Sequence, residues 1–158
     1  MQSGSAKPHS EISLARADSP TDLPTWLNTE RLASFLHENL KPYEDPPEEI
    51  QAGVDFALSS DPCKGGFVLT ARSGEELLGA LVMLKTGMSG YIPENILLFV
   101  AVAASARGKG IGGTLVRKAV SECEGGVKLH VEHSNPARRL YERCGFTSKY
   151  LEMRWSDE

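Results

Sequence analysis

The stretch that constrains this chain most is Ala106-Arg107-Gly108-Lys109-Gly110-Ile111-Gly112-Gly113-Thr114. It joins two segments of different character. Ile96 to Ala103 is continuously apolar, as a strand buried on both faces should be. From Ile111 to Cys123 the apolar residues follow a helical period. Ile111, Leu115 and Ala119 share a face, with Val116, Val120 and Cys123 beside them. Gly125-Gly126 ends that run. The chain therefore reads here as buried strand, glycine turn, helix.

A glycine-rich entry to a helix is an anion site in waiting. The first helical turn has N–H groups with no intrahelical partner, and the dipole adds partial positive charge. Glycine lets the backbone approach an anion with no Cβ in the way. Four of the six residues from Gly108 to Gly113 are glycine, and Arg107 and Lys109 bring charge. Thr114 adds a hydroxyl one turn in. Phosphate binding explains this pattern better than a tight turn alone.

Two phosphate readings compete. Gly108 to Gly113 fits G-x-G-x-x-G, and Glu132 stands about 20 residues on, where a dinucleotide fingerprint wants an acid. Against this, Ala104 to Arg107 separate the glycines from the strand, and only 45 residues follow Gly113. The elements before the loop also fail to alternate strand with helix. Arg107 to Gly112 fits a second pattern, R-x-x-G-x-G.

The remaining chain supplies the context. Ile12 to Ala17 predicts a first strand. "LPTWLNTERLASFLHENL" has helical spacing through Trp26, Leu27, Leu32, Phe35, Leu36 and Leu40. A second helix opens at Asp45-Pro46-Pro47-Glu48, with Asp45 as cap, Pro46 as first helical residue and Glu48 completing a capping box. Gly66 to Ala71 and Leu77 to Lys85 read as a hairpin, followed by the polar connection "TGMSGYIPEN". Val127 to Glu132 alternates as a strand. "NPARRLYERCGF" is a short helix stopped by Gly145, and Phe146 to Trp155 a final strand.

The 158 residues suit one domain over residues 11–158, with residues 1–10 as a flexible polar tail. A net charge of -4 argues against nonspecific nucleic-acid binding. Cys63, Cys123 and Cys144 are few, odd in number and lack metal-ligand spacing. They read as reduced thiols in a cytoplasmic protein, with no metal expected. The N-terminus has no signal-peptide core, and the longest apolar run falls far short of the roughly 20 residues of a membrane helix. No membrane partner is expected.

R-x-x-G-x-G after a buried strand, followed about 20 residues later by N-x-x-R-x-L-Y-x-x-x-G-F, resembles the GNAT superfamily of acyl-CoA-dependent N-acyltransferases. Val100, Val102, Arg107, Gly110, Gly112, Asn135, Leu140, Tyr141, Gly145 and Phe146 carry the resemblance, which spans about residues 11 to 156. It implies an α/β (α+β) three-layer fold, with a mixed, mostly antiparallel sheet of six to seven strands and about four helices. It implies an N-acetyltransferase that moves an acetyl group from acetyl-CoA to a primary amine by direct attack in a ternary complex. The amine would belong to a small molecule or a peptide. Dimers are frequent in the superfamily.

The same resemblance assigns residues. Arg107, Gly108, Lys109, Gly110, Ile111, Gly112, Gly113 and Thr114 would hold the pyrophosphate of coenzyme A. Val100, Ala101 and Val102 would run beside the pantetheine arm, with Asn135 and Arg138 also at the cofactor. Asn135, before a proline, reads equally as a helix cap. Tyr141 would be the general acid for the departing thiolate; packing beside Leu140 is its plainer reading. A family glutamate that serves as base falls on Ile96 here. Glu94, two residues earlier, is the candidate base, and a solvated loop position is its alternative. Glu132, His130, His133 and bulk solvent are further candidates. Met88, Tyr91 and Glu94 are candidates to line the acceptor site, with Glu38, Glu44, Asp45, Glu48 and Glu49 as ordinary helix-face charges or a negative rim. Two rival functions stay open: a non-catalytic acyl-CoA-binding module and a nicotinamide-dinucleotide-binding protein.

Overall fold

Five strands form one sheet in chain order, β1-β2-β3-β4-β5. The structure is a computed structural model that describes residues 11–157. The tail expected over residues 1–10 lies outside the described residues. The strands are β1 (Ser13–Ala17), β2 (Gly66–Ser73), β3 (Glu76–Lys85), β4 (Asn95–Val102) and β5 (Val127–Lys128). The helices are α1 (Thr29–Leu40), α2 (Pro47–Ala57), α3 (Ile111–Ser121) and α4 (Ala137–Arg143). Neighbouring strands are antiparallel except β4 and β5, which run parallel. That topology overturns the dinucleotide reading, which needs a doubly wound parallel sheet.

The alternation of β2 sorts the layers. Val68 turns to a core shared with Leu32, Leu36, Ile50 and Val54 of α1 and α2. Phe67 and Leu69 turn to a second core with Ile111, Leu115 and Val116 of α3. Tyr141 and Cys144 bring α4 against that second core. Leu115 and Val116 have no exposed surface; burying each such side chain stabilises by about 2 kcal/mol.

Helix boundaries follow local chemistry. Asn28 caps α1, its Oδ1 accepting the Arg31 N–H at 2.8 Å. The capping box expected at Asp45 does not form. Pro46 is the cap residue, without a side-chain cap bond, and the helix begins at Pro47. A residue before proline is disfavoured in helical backbone, so Pro46 stays extended at ψ 144. Gly145, at φ 98, stops α4 as expected.

The central strand is bent by a bulge. Val82 faces Phe99 and Met83 faces Leu97, so Leu98 is an extra residue in β4. Leu98 and Phe99 consequently both turn toward α1 and α2. Gly53 of α2 makes room, since a Cβ there would come within 2.5 Å of Leu98 Cδ2.

Beyond the bulge β4 loses its parallel neighbour. Only Asn95 and Ile96 pair with β5, through Val127 and Lys128. The strand expected over Val127–Glu132 therefore stops at Lys128, and Phe146–Trp155 forms no strand. The sheet has five strands rather than six or seven. Alternation alone does not make a strand; the backbone needs a neighbour to complete the ladder.

Candidate active site

The opening between β4 and β5 is set from below and from above. Below, Asn95 is buried and its Nδ2 donates to Glu124 O at 2.8 Å and Gly126 O at 3.1 Å. Its own N–H also reaches Gly126 O. Glu94 Oε2 accepts the Gly126 N–H at 2.6 Å. These contacts pin the foot of β4 to the turn before β5. Above the bulge the strands part. Ala103 N–H points to β3, donating to Leu78 O at 2.8 Å. Along a strand, bonding groups alternate sides, so Ala101 also faces β3 while Val100 and Val102 face the gap. A run of main-chain donors and acceptors is thereby left open to an extended ligand.

The glycine loop closes the upper end of that gap. Gly108 and Gly110 have φ 82 and 78, where a side chain is strained. The helical ladder of α3 begins at Thr114, whose N–H reaches Gly110 O. Among the described residues, the N–H groups of Gly110, Ile111, Gly112 and Gly113 find no backbone acceptor. Four convergent donors at the positive end of an 11-residue helix make an anion cradle. At Gly112 a Cβ would sit 3.3 Å from Leu140 Cδ2 and 3.6 Å from Val102 Cγ2. The missing side chain lets α4 and β4 close around the first turn.

That contact delivers Tyr141 to the same place. Its ring meets Phe146 edge-on at 6.0 Å. Burial, with a smaller push from Cys144, raises its hydroxyl to about 12. It stays protonated at neutral pH, partly buried against the second core.

An open strand edge running into an anion cradle invites comparison with known proteins. The family model described as the GNAT acetyltransferase family matches residues 25–146. The chain belongs to this family. That membership places it among the acyltransferases. It is 31% identical over 106 residues to an uncharacterized N-acetyltransferase, YvbK, of Bacillus subtilis (strain 168). That match spans 58% of this chain and 65% of the relative. Solved structures share the architecture. An aminoglycoside N-acetyltransferase in complex with CoA aligns over 96% of this chain and 99% of its own, with TM-score 0.68 at 13% identity. A putative acetyl transferase from Pyrococcus furiosus aligns over 93% and 100%, with TM-score 0.58 at 24% identity. An aminoglycoside acetyltransferase from an uncultured soil sample, in complex with sisomicin, aligns over 93% and 97%, with TM-score 0.57 at 16% identity. These likenesses establish the GNAT fold.

Within this GNAT fold several expected site residues do other work. Ala101 pairs with Ala80 of β3 and buries its side chain under α1 and α2. Arg107 donates to Val102 O at 3.2 Å and Asn39 O at 3.1 Å, tying the loop to β4 and the end of α1. Thr114 turns its hydroxyl back to Gly110 O at 2.9 Å. Arg138 pairs with Glu142 at 3.0 Å on the exposed face of α4. Asn135 holds the turn into α4, its Oδ1 accepting the Ala137 N–H at 2.9 Å, while Pro136 is the cap residue. Lys109 is exposed.

Glu94 is a poor fit to a base. Hydrogen bonds from backbone N–H groups, first its own, then those of Gly126 and Gly90, hold its carboxyl below the ordinary 4.5. Such a carboxylate takes up a proton less readily than an ordinary one. Two useful residues escaped the sequence. Asn95 looks like an ordinary polar strand end until its partners at Glu124 and Gly126 are seen. Arg117 lies one helical turn after Gly113, and its Nη1 comes 2.9 Å from where a Gly113 Cβ would be. The i, i+4 spacing from a bare glycine was its only sequence signal.

No helix among the described residues is long and apolar enough to cross a membrane.

Proposed function

We propose that this protein transfers an acetyl group from acetyl-CoA to a primary amine of a small molecule, by direct attack while both are bound. The observation that carries this reading is the open β4 edge leading into four unpaired N–H groups at the start of α3. Pantetheine offers amides to the main chain of Val100 and Val102, and the diphosphate offers negative charge to Gly110–Gly113. Arg117 and Lys109 add positive charge, and the Nδ2 of Asn135 takes no part in the bond to Ala137 and can meet the arm.

The chemistry then follows. The amine nitrogen forms a bond to the acetyl carbon, and the carbon–sulfur bond breaks. A main-chain N–H of the open edge stabilises the developing oxyanion. The Tyr141 hydroxyl donates to the departing sulfur. A phenol at about 12 facing a thiolate whose thiol has a reference value near 8.5 would give up its proton uphill by roughly 5 kcal/mol. Burial raises the thiol as well as the phenol, which narrows that gap. Tyr141 therefore donates a strong hydrogen bond first and completes the transfer as the sulfur charge develops. The attacking amine loses its proton to solvent, since Glu94 is committed to Gly126. Sequence relatives and structural neighbours described as N-acetyltransferases and aminoglycoside acetyltransferases support an amine acceptor.

Melting the protein with acetyl-CoA and, in parallel, with NADH tests the cofactor. Ligand at about 100 times its dissociation constant adds about 2.7 kcal/mol, a shift of several degrees. A rise with acetyl-CoA alone, followed by amine-dependent thiol release, is expected. A rise with NADH alone refutes the reading. Tight acetyl-CoA binding with no thiol release from any amine would leave an acyl-CoA-binding module instead.

A further inference from the structure

The connection between α1 and α2 holds a carboxylate that the fold does not explain. Glu44 Oε2 is buried from solvent and has no hydrogen-bond partner, alone in this among the described side chains. A buried carboxylate oxygen without a donor is costly and calls for one.

Its neighbours in the chain reach toward the proposed reaction chamber. The preceding residue, Tyr43, donates its hydroxyl to Ser134 O at 3.1 Å. That bond spans from the α1–α2 connection to the segment after β5, next to Asn135. The Arg107 bond to Asn39 O ties the end of α1 to the anion loop. Glu44 thus belongs to the connection whose neighbouring residues reach both sides of the gap. The following residue, Asp45, and Glu49 act on Arg154, which is paired first with Glu152. Glu44 has no such cation among the described residues.

We infer that Glu44 receives an ammonium group of the acceptor, and that the acceptor carries at least two amines. This rests on the amine-acceptor reading above. An ammonium brings three N–H donors and a positive charge, which is what a buried carboxylate oxygen lacks. It is not the reacting amine. A nucleophile must be neutral to attack, and a carboxylate that holds it as ammonium suppresses it. Glu44 therefore suits a second, non-reacting ammonium, which stays charged and orients the molecule. Diamines, polyamines and amino sugars have that chemistry. Two exposed tyrosine rings, Tyr91 and Tyr150, meet at 5.8 Å between the β3–β4 connection and the C-terminal segment. Lys149 Nζ lies 5.4 Å over the Tyr150 ring, a cation already held by such a face.

Butylamine and putrescine make a matched test, since they differ only in the second amine. Rates of thiol release are compared for wild type, Glu44→Gln, and Glu75→Gln on the exposed β2–β3 turn as a surface control. The wild type should favour putrescine in kcat/KM by tenfold or more. Glu44→Gln should erase that preference, mainly through KM, and Glu75→Gln should keep it. Spermidine and kanamycin extend the panel to larger polyamines. Equal use of both probes by the wild type overturns the inference. So does a Glu44→Gln protein that keeps the preference, or one that lowers kcat with an altered pH profile and unchanged KM, which would make Glu44 a base. Titration of putrescine into the protein saturated with coenzyme A reads binding apart from turnover. If no amine is acetylated yet putrescine binds more than tenfold more tightly to wild type than to Glu44→Gln, the catalytic reading fails and the Glu44 site stands. Absence of that binding difference overturns the site.

Discussion

Replacing Tyr141 with phenylalanine removes one oxygen from a packed wall and keeps the ring against Phe146. Its effect on stability depends on pH in a way the structure fixes. The phenol titrates at an ordinary 10.0 in the unfolded chain and at about 12 in the folded protein. Below pH 10 both states hold the proton, and the stabilising contribution is complete. Above pH 10 the unfolded chain releases its proton while the folded protein keeps it, so folding weakens as pH rises. The loss approaches about 1.4 kcal/mol per pH unit between these values and reaches about 2.3 kcal/mol by pH 12. Tyr141→Phe has no such proton. Urea unfolding at pH 8 and pH 11 should show the wild type losing about 1.4 kcal/mol more than the variant over that interval. A constant difference between the two proteins would mean that the hydroxyl is solvated, and the argument for a dry donor beside the thiolate would fall. Kinetics supply the second half. Turnover of the variant should drop about 100-fold with acetyl-CoA affinity nearly intact. Full turnover would refute Tyr141 as the donor while leaving the GNAT fold untouched.

Two further outcomes follow from the site. Glu94→Gln should cost turnover at pH 8 no more than about threefold, because its carboxylate serves Gly126 and not the amine; a loss approaching 100-fold would reinstate it as base. Because its folded value lies below 4.5, the stability it contributes is present above that pH and lost as pH falls through its folded value. Thermal scans from pH 6 down to pH 3 should therefore show a shallower decline for Glu94→Gln than for wild type. Gly112→Val drives a branched side chain toward Leu140 and Val102, whose carbons would already lie 3.3 and 3.6 Å from a Cβ. It should remove most of the thermal shift produced by acetyl-CoA, at an overpacking cost of about 1–3 kcal/mol in stability; an undiminished shift would show that the anion binds elsewhere.

Local chemistry made part of this protein legible before any coordinates. The apolar run of β4, the glycines of the loop and the amphipathic period of α3 are each set by neighbours in sequence. They announced strand, cradle and helix together, and the spacing to Leu140 and Tyr141 pointed to the family. Other features depend on partners far along the chain, and these only the tertiary structure decided. Whether Leu129 to Glu132 and Phe146 to Trp155 are strands depends on whether another strand takes their backbone groups. The bulge at Leu98 ended that pairing for β5. The same bulge turned Ala101 toward β3 and left Val100 and Val102 open, a choice of side that an unbroken run of apolar residues does not encode. Arg107, Glu94 and Asn135 carry groups suited to a ligand, yet each meets a backbone partner, two of them distant in sequence. Glu44 shows the reverse: it reads as one acid among many on a polar connection. Folding buries one of its oxygens without a donor, and that unmet bond is visible only once the chain has closed around it.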